Sequence, residues 1–500
     1  MPVFRVFGQL AARRVGAVVS SGDARRHQRG LAAHPEAATD AWWGKEPRWF
    51  AGDTPPREHN RVTPLVDGAR YFPTLCAAIG QAQHYVYIAG WCLTPHMPLQ
   101  RGSEKDLVES QIVAALAAAA QRVPVRVLLW GGARALFQPE RLTMLHVLGE
   151  MQDAGGGDMQ TRLDNSAVAS HCHHQKTVVI DGRIAFVGGM DLTMLAGDRW
   201  DTPEHPLREG ANWHDVQVQI EGEAVADVEA NFRQRWEATT GSTALPHQEP
   251  ATEPSWQTPV QIVRTLHPNT YAFAPDGMRG IEHAYRGVIR SAKRLIYLEN
   301  QYLWSHDLLN DLINLVQHPP TPEFRIVIVL PLRAADGKWD NDQHVETLRA
   351  ADRAARVAEV YSLYTSGPAS GSKAFVYRPI YVHAKVAIVD DEWALVGSAN
   401  MNLRGFETDS ELDAFIHNQE FARSLRVRLW AEHLAMREEE VAAHEPTSVV
   451  DRFWKDRAAA NERIMAEAHR PLHGAVMRYQ VGHIHGAWLL ETLEALTVEH

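Results

Sequence analysis

The chain repeats itself at the scale of a domain, and no other feature limits its fold so tightly. The stretch beginning Tyr71-Phe72 (YFPTLCAAIGQAQHYVYIAGW) reads as an amphipathic helix running into a strand, and residues 281–301 (IEHAYRGVIRSAKRLIYLENQ) read the same way. A second β-branched run follows a helix in each half, VPVRVLLWGG at 123–132 and EFRIVIVLPL at 323–332. Then come HHQKTVVIDGRIAFVGGMD (173–191) and VHAKVAIVDDEWALVGSAN (382–400). His174 and His383 lie 209 residues apart and Ala89 and Glu299 lie 210 apart, so the register holds over a whole domain length.

Strands alternating with helices predict an α/β sheet covered by helices in each half. The Pro/Thr/Ser-rich stretch from Thr239 to Pro259 reads as a linker between them. The expected organisation is a leader over 1–60, a first lobe over 61–245, a linker over 246–259, a second lobe over 260–435 and a helical extension over 436–500. At 500 residues the chain is too long for one hydrophobic core, which agrees with two lobes.

Composition removes several classes. The longest apolar candidate, Ile112–Ala120, is nine residues and Ala-rich, so it predicts a buried or amphipathic helix and not a membrane span. The net charge of −11 argues against a nucleic-acid partner. Three scattered cysteines (Cys76, Cys92, Cys172) fit neither a disulfide framework nor a zinc site. The N-terminus has no compact apolar signal core, which predicts a cytoplasmic or peripheral membrane location. Phe4, Phe7, Ala11, Val15 and Val18 fall at helical spacing with arginines on another face, which suits a packing helix or a helix lying on an anionic membrane surface. The leader also carries Trp42, Trp43 and Trp49.

The chemistry sits in the repeated motif. If HQKTVVIDG is a strand, His174 and Lys176 share a face with Val178 and Ile180, and Asp181 has the opposite parity at a turn. His383, Lys385 and Asp390 repeat that pattern. Two such halves about a pseudo-two-fold axis would bring two histidines and two lysines into one cleft. That set suits displacement at a phosphodiester. One imidazole attacks phosphorus, the other moves protons, and the ammonium groups balance the phosphoryl oxygens with no metal and no cofactor. Asp181 and Asp390 are poorly aimed to orient the histidines, so Asp215, in WHDVQVQI, is expected to hold His174, and Glu411, in SELDAFI, to hold His383. Gly188 and Gly189, with Gly397 and Ser398 in the other half, are expected to let backbone approach the substrate. Competing readings are a zinc site at His171, His173 and His174, for which the second half has no counterpart, and a nucleophilic Cys172.

These residues resemble the duplicated motifs of the phospholipase D superfamily over roughly residues 60–435. RWDTPEHP (199–206), Trp213-His214-Asp215, Glu299-Asn300-Gln301-Tyr302 and the run through Asn402, Arg404, Asp409, Ser410 and Glu411 are similar to the eukaryotic type that cleaves phosphatidylcholine. The resemblance implies two pseudo-symmetric α/β/α sandwich lobes with the active site at their interface. It implies His174 as nucleophile, His383 as general acid/base, and Lys176, Lys385 and Asn400 on the phosphate, with Asp191 and Gln301 also on the substrate side. It further implies a phospholipid substrate at a membrane surface, transfer to alcohols as well as water, and a monomer. Departures are Asp191 where several secreted members carry Asn, Gly405 after Arg404, and a leader too short for the usual lipid-binding module. A cardiolipin synthase-like phosphatidyltransferase and a nuclease share the chemistry; the absence of N-terminal membrane helices and the acidic balance rank them lower.

Overall fold

Two mixed sheets repeat one another strand for strand, which is how the sequence repeat is realised. The structure is a computed structural model and describes residues 49–482 except 51–53, 134–137, 155, 168–170, 335–337, 370 and 372. The basic amphipathic pattern and Trp42 and Trp43 therefore lie outside the described residues. Residues Trp49–Val481 form one compact unit, which is the subject of everything below.

The first sheet is built from β1 (Asn60–Val66), β2 (Val86–Gly90), β3 (Val125–Trp130), β4 (Met159–Asp164), β5 (Thr177–Ile180), β6 (Ile184–Gly188) and β8 (Val216–Gly222), in the order β1-β8-β6-β5-β2-β3-β4; β7 is Asn212–His214. The second is built from β9 (Val260–Leu266), β10 (Met278–Arg279), β11 (Leu295–Glu299), β12 (Arg325–Val329), β13 (Ala358–Pro368), β14 (Phe375–Val382), β15 (Val386–Val389), β16 (Trp393–Gly397) and β17 (Glu411–His417). Its order β9-β17-β16-β15-β11-β12-β13 repeats the first, and β10, β14 and β7 extend its ends. The last of these belongs by sequence to the first half: β7 pairs in parallel with β14, Val382 opposite His214.

Alternation along each strand sorts the side chains into layers. Val178 and Ile180 pack outward with the helices Gly68–Gly80 (α1) and Ile112–Ala120 (α2). The latter buries Ile112, Val113, Leu116, Ala119 and Ala120, so the apolar nine-residue run is a core helix. Ala387 and Val389 pack outward with Gly280–Ser291 (α4) in the same way, α3 being Val225–Thr240. The inward residues Val179, Val187, Val386 and Ile388 share one central core with Phe232 and Trp236 of α3 and with Leu425 and Trp430 of α5 (Gln419–Leu434). Burying both faces of both sheets explains their near-continuous apolar strands.

Three expectations need adjustment. Thr239 and Thr240 end α3, which stops at Gly241 in the left-handed conformation (φ 72°), so irregular chain begins only at Ser242. The C-terminal extension is not purely helical: Val476–Arg478 (β18) pairs with Tyr361–Leu363. Strand β13 is long enough that β14 covers only Tyr364–Pro368, and β18 protects the remaining edge. Trp49 belongs to the packing of the second half, its ring 5.0 Å from Trp393 and 5.3 Å from Phe415.

The motif aspartates do structural work. Asp181 (φ 58°) accepts hydrogen bonds from the backbone N–H groups of Gln83 (2.9 Å), His84 (2.7 Å) and Tyr85 (2.9 Å). Asp390 (φ 57°) does the same for Lys293 (2.7 Å), Arg294 (2.7 Å) and Leu295 (2.8 Å). Each ties the hairpin that follows a histidine to the helix–strand turn of its own half. Charge-assisted bonds of this kind are expected to make Asp181→Ala and Asp390→Ala each cost about 2–3 kcal/mol in urea unfolding. A loss under ~0.5 kcal/mol would contradict the structural role.

Candidate active site

The strands begin later than the sequence pattern predicts. β5 starts at Thr177 and β15 at Val386, so both histidines precede the ladder that their motifs enter. Their backbone groups pair instead with the other half. His174 N–H donates to Ser410 O (2.9 Å), and Ser410 N–H donates to Cys172 O (3.0 Å). Reciprocally, His383 N–H donates to His214 O (2.8 Å), continuing the β14–β7 pairing.

This exchange decides which acid meets which histidine, and it reverses the expected assignment. His174 Nδ1 lies 2.9 Å from Glu411 Oε1, and His383 Nδ1 lies 2.7 Å from Asp215 Oδ2. Ser410 and His214, the residues bonded to the two histidine segments, immediately precede Glu411 and Asp215. Each carboxylate is therefore delivered to the histidine of the opposite half. In both pairs Nδ1 faces the carboxylate, which leaves Nε2 for chemistry.

The lysines come from the same segments. Lys176 Nζ donates to His174 O (2.7 Å) and ion-pairs with Asp191 Oδ2 (3.0 Å). Lys385 Nζ donates to His383 O and lies 3.4 Å from Gln301 Oε1. Burial, and then the charges of Lys176 and Lys385, push His174 well below the usual imidazole range. Burial, then Lys385, Arg199 and Lys176, push His383 down in the same way. Each imidazole thus responds to the lysine of the other half, as expected when both sets share one centre. Burial also lowers Lys385 to about 7 and raises Asp215 to about 7, with Glu411 pushed well up. The site favours neutral forms, and a phosphodiester anion would oppose that bias.

The glycines have a different use from the one expected. A Cβ on Gly188 would meet Gln217 and the Val216 carbonyl, and one on Gly189 would meet the Asp215 carboxylate. Gly397 is likewise closed off by Asp413. These positions admit the neighbouring strand and its acid, and not a substrate. Ser398 supports the acid in its own half: its hydroxyl donates to Glu411 Oε2 and accepts from Leu412 N–H (3.1 Å). Gln301 is tied to the Tyr381 hydroxyl (2.6 Å), and Asn400 Oδ1 is buried with no hydrogen-bond partner among the described residues.

The competing readings lose their basis. His173 is fully buried between Asp164 (3.0 Å) and Ser410 Oγ (2.8 Å), and the His171 ring packs on His267 at 4.5 Å, so they do not converge with His174 on one point. Burial raises the Cys172 thiol well above its usual value, which makes it a poor nucleophile. Two neighbours were not singled out from the sequence: Trp213, its ring 5.2 Å from His383, and Arg199, whose guanidinium lies 4.6 Å over Trp213. Both stand in stretches that carry the family resemblance.

The two halves match related family profiles, one described as "Phospholipase D" over residues 78–212 and one as "Cardiolipin synthase, PLD-like domain" over residues 285–432. The chain belongs to the phospholipase D superfamily and is an enzyme of it. Among individual proteins it is similar to phospholipase D alpha 1 of Carica papaya, 25% identical across 84% of this chain and 71% of that protein. It is also similar to phospholipase D A of Dictyostelium discoideum, 26% identical across 76% of this chain but only 36% of that protein. Its fold resembles that of phosphatidylserine synthase from Haemophilus influenzae Rd KW20, with a TM-score of 0.51 at 12% identity over 84% of this chain and 97% of that one.

Asp215→Asn and Glu411→Gln are each expected to lower kcat by about 10²–10⁴-fold. Histidine-ring NMR should show the first perturbing His383 and the second perturbing His174. The opposite correspondence would refute the crossed pairing. Gly189→Ala, which crowds the Asp215 carboxylate, should lower kcat with KM little changed.

Proposed function

We propose that the chain is a phospholipase D, hydrolysing the distal phosphodiester bond of glycerophospholipids to phosphatidic acid and a free head-group alcohol. The observation that carries this reading is the pair of crossed couples, His174–Glu411 and His383–Asp215, with a lysine beside each histidine. His174 Nε2 attacks phosphorus and forms a phosphohistidine, while His383 protonates the departing alkoxide. His383 then deprotonates the incoming water or alcohol, whose oxygen displaces His174. Lys176 and Lys385 offset charge on the non-bridging oxygens, with Asn400 beside them. Glu411 and Asp215 hold the rings and stabilise each imidazolium as it forms. No step uses a metal. The protein acts on a membrane surface without spanning it; no described helix is long and apolar enough to cross one.

Transfer to an alcohol acceptor, as in a cardiolipin synthase-like phosphatidyltransferase, shares the first step, and the profile matched by residues 285–432 favours keeping it as the second reading. Mixed phospholipid vesicles with excess ethanol in EDTA should yield phosphatidylethanol. Strict dependence on added divalent metal would overturn the mechanism, and absence of any lipid product would overturn the substrate class. Phosphatidylglycerol supplied as acceptor separates the two readings. His174→Ala and His383→Ala should each abolish turnover.

The pH dependence follows from two depressed groups and one raised acid. A lowered imidazole keeps His174 neutral, hence nucleophilic, to below pH 6.5, and Lys385 loses its charge as pH rises through about 7. kcat/KM is therefore expected to be bell-shaped with its maximum near neutrality. It falls below pH ~7 as Asp215, raised to about 7, takes up a proton and no longer stabilises the His383 imidazolium, and it falls above as Lys385 loses its charge. A plateau extending past pH ~9 would contradict the charged-lysine role.

A further inference from the structure

The two motifs agree at their histidines and lysines and differ at the positions that flank each histidine. His173 and Gln175 flank His174, whereas the second half carries Val382 and Ala384 at the matching places. Val382 and Ala384 belong to the central apolar core. His173 and Gln175 are fully buried too, yet both are polar, and the phosphoryl chemistry uses neither. Both reach across to the segment that delivers Glu411. His173 Nδ1 lies 2.8 Å from Ser410 Oγ, and Gln175 Nε2 donates to Glu411 O (3.1 Å). These contacts grip two successive residues, in addition to the backbone bonds that join Cys172, His174 and Ser410.

Behind these two residues stand other buried polar groups. His173 Nε2 lies 3.0 Å from Asp164 Oδ1, at the end of β4. Arg235 of α3 donates to Asp164 Oδ2 (3.0 Å), to the Tyr271 hydroxyl (2.9 Å) and to Gln175 Oε1 (2.9 Å). The Tyr271 hydroxyl donates in turn to Asp164 Oδ2, and Asn231, also of α3, donates to Gln175 Oε1 (2.8 Å). Burial holds His173 below the usual imidazole range, with Asp164 and Asp409 opposing the shift and Arg235 adding to it. Burial alone would raise Asp164, but His173 and Arg235 hold it well below the usual carboxylate range. A carboxylate can only accept, so Nε2 carries the ring proton and Nδ1 is left to accept the Ser410 hydroxyl. A connected chain of buried hydrogen bonds restrains its members more than separate contacts do.

We propose that His173 and Gln175 are positioning residues for the His174–Glu411 couple, clamped to β4 and α3 through Asp164 and Arg235. In the function proposed above, His174 changes charge and gains a bond at Nε2, and Glu411 must stay on Nδ1 throughout. The clamp holds the segment that carries the acid at Ser410 and at Glu411, so the couple keeps its aim during turnover. Apolar Val382 and Ala384 give the His383–Asp215 couple no such clamp from the same positions. The pseudo-symmetry of the repeat is thus broken at the couple that carries the covalent intermediate. The proposal rests on His174 being the attacking residue and not on the lipid being the substrate.

One test uses the unaltered full chain. Nitrogen NMR near neutral pH should show His173 uncharged, with its proton on Nε2 and a bare Nδ1. A doubly protonated ring or the opposite tautomer would overturn the proposal, and this measurement needs no variant to fold. His173→Phe and Gln175→Leu should each lower kcat by about 10–100-fold with KM changed less than about two-fold, as expected for one lost buried hydrogen bond that acts on the chemical step. His173→Asn, whose amide oxygen stands near the lost Nδ1 and accepts the Ser410 hydroxyl, should recover part of that loss. In the two apolar variants the His174 ring signals should shift while those of His383 stay in place. Equal displacement of both rings, or an unchanged kcat in a folded apolar variant, would overturn the proposal. The ring signals are read without turnover, so they decide the positioning role even where vesicle assays give no lipid product.

Discussion

The structure turns on a reciprocal exchange of backbone hydrogen bonds between its halves. His174 bonds to Ser410 O and His383 bonds to His214 O, and each of those acceptors is followed by the carboxylate that the bonded histidine needs. Neither half can complete a histidine–carboxylate couple alone. The candidate catalytic couples therefore exist only when the halves pack as they do, and β7, a first-half strand that pairs within the second sheet, reflects that dependence.

Acids in this protein divide by what they satisfy. Asp181 and Asp390 take three backbone donors each and anchor hairpins. Asp215 and Glu411 take an imidazole. Asp191 takes Lys176 on one oxygen and Trp91 N–H on the other. The halves diverge where geometry requires it: Gly189 leaves room for the Asp215 carboxylate, while Ser398, its counterpart, adds a hydroxyl to Glu411. Copying a strand order is compatible with such differences because the sheet is set by the apolar core, and the end of a strand is free to vary.

Burial makes the centre electrostatically demanding. Removing water strengthens every interaction among the imidazoles, lysines and acids, and it penalises each uncompensated charge. The buried cluster around His214 sits beside Asp215, and Asp67 both donates to the Asp215 carbonyl and accepts from its N–H.

Much of this was legible in the chain itself. Short β-branched apolar runs alternating with amphipathic helices predict the two sheets and their covering, because strands buried on both faces read as near-continuous apolar segments. The repeat located His174, Lys176, His383 and Lys385 and also identified Asp215 and Glu411 as the acids, since strand parity ruled out Asp181 and Asp390. Only tertiary structure decided the partners. Strand parity reports a face and not a neighbour, so the crossed pairing, the packing use of Gly188 and Gly189, and the strand at 476–478 could not be read from spacing. The same holds for the meeting of Asp67, His205, His214 and Glu432, which are far apart in sequence and share no motif. Local pattern sets what each segment can become, while contacts between distant segments are fixed by how the two sheets close over one core.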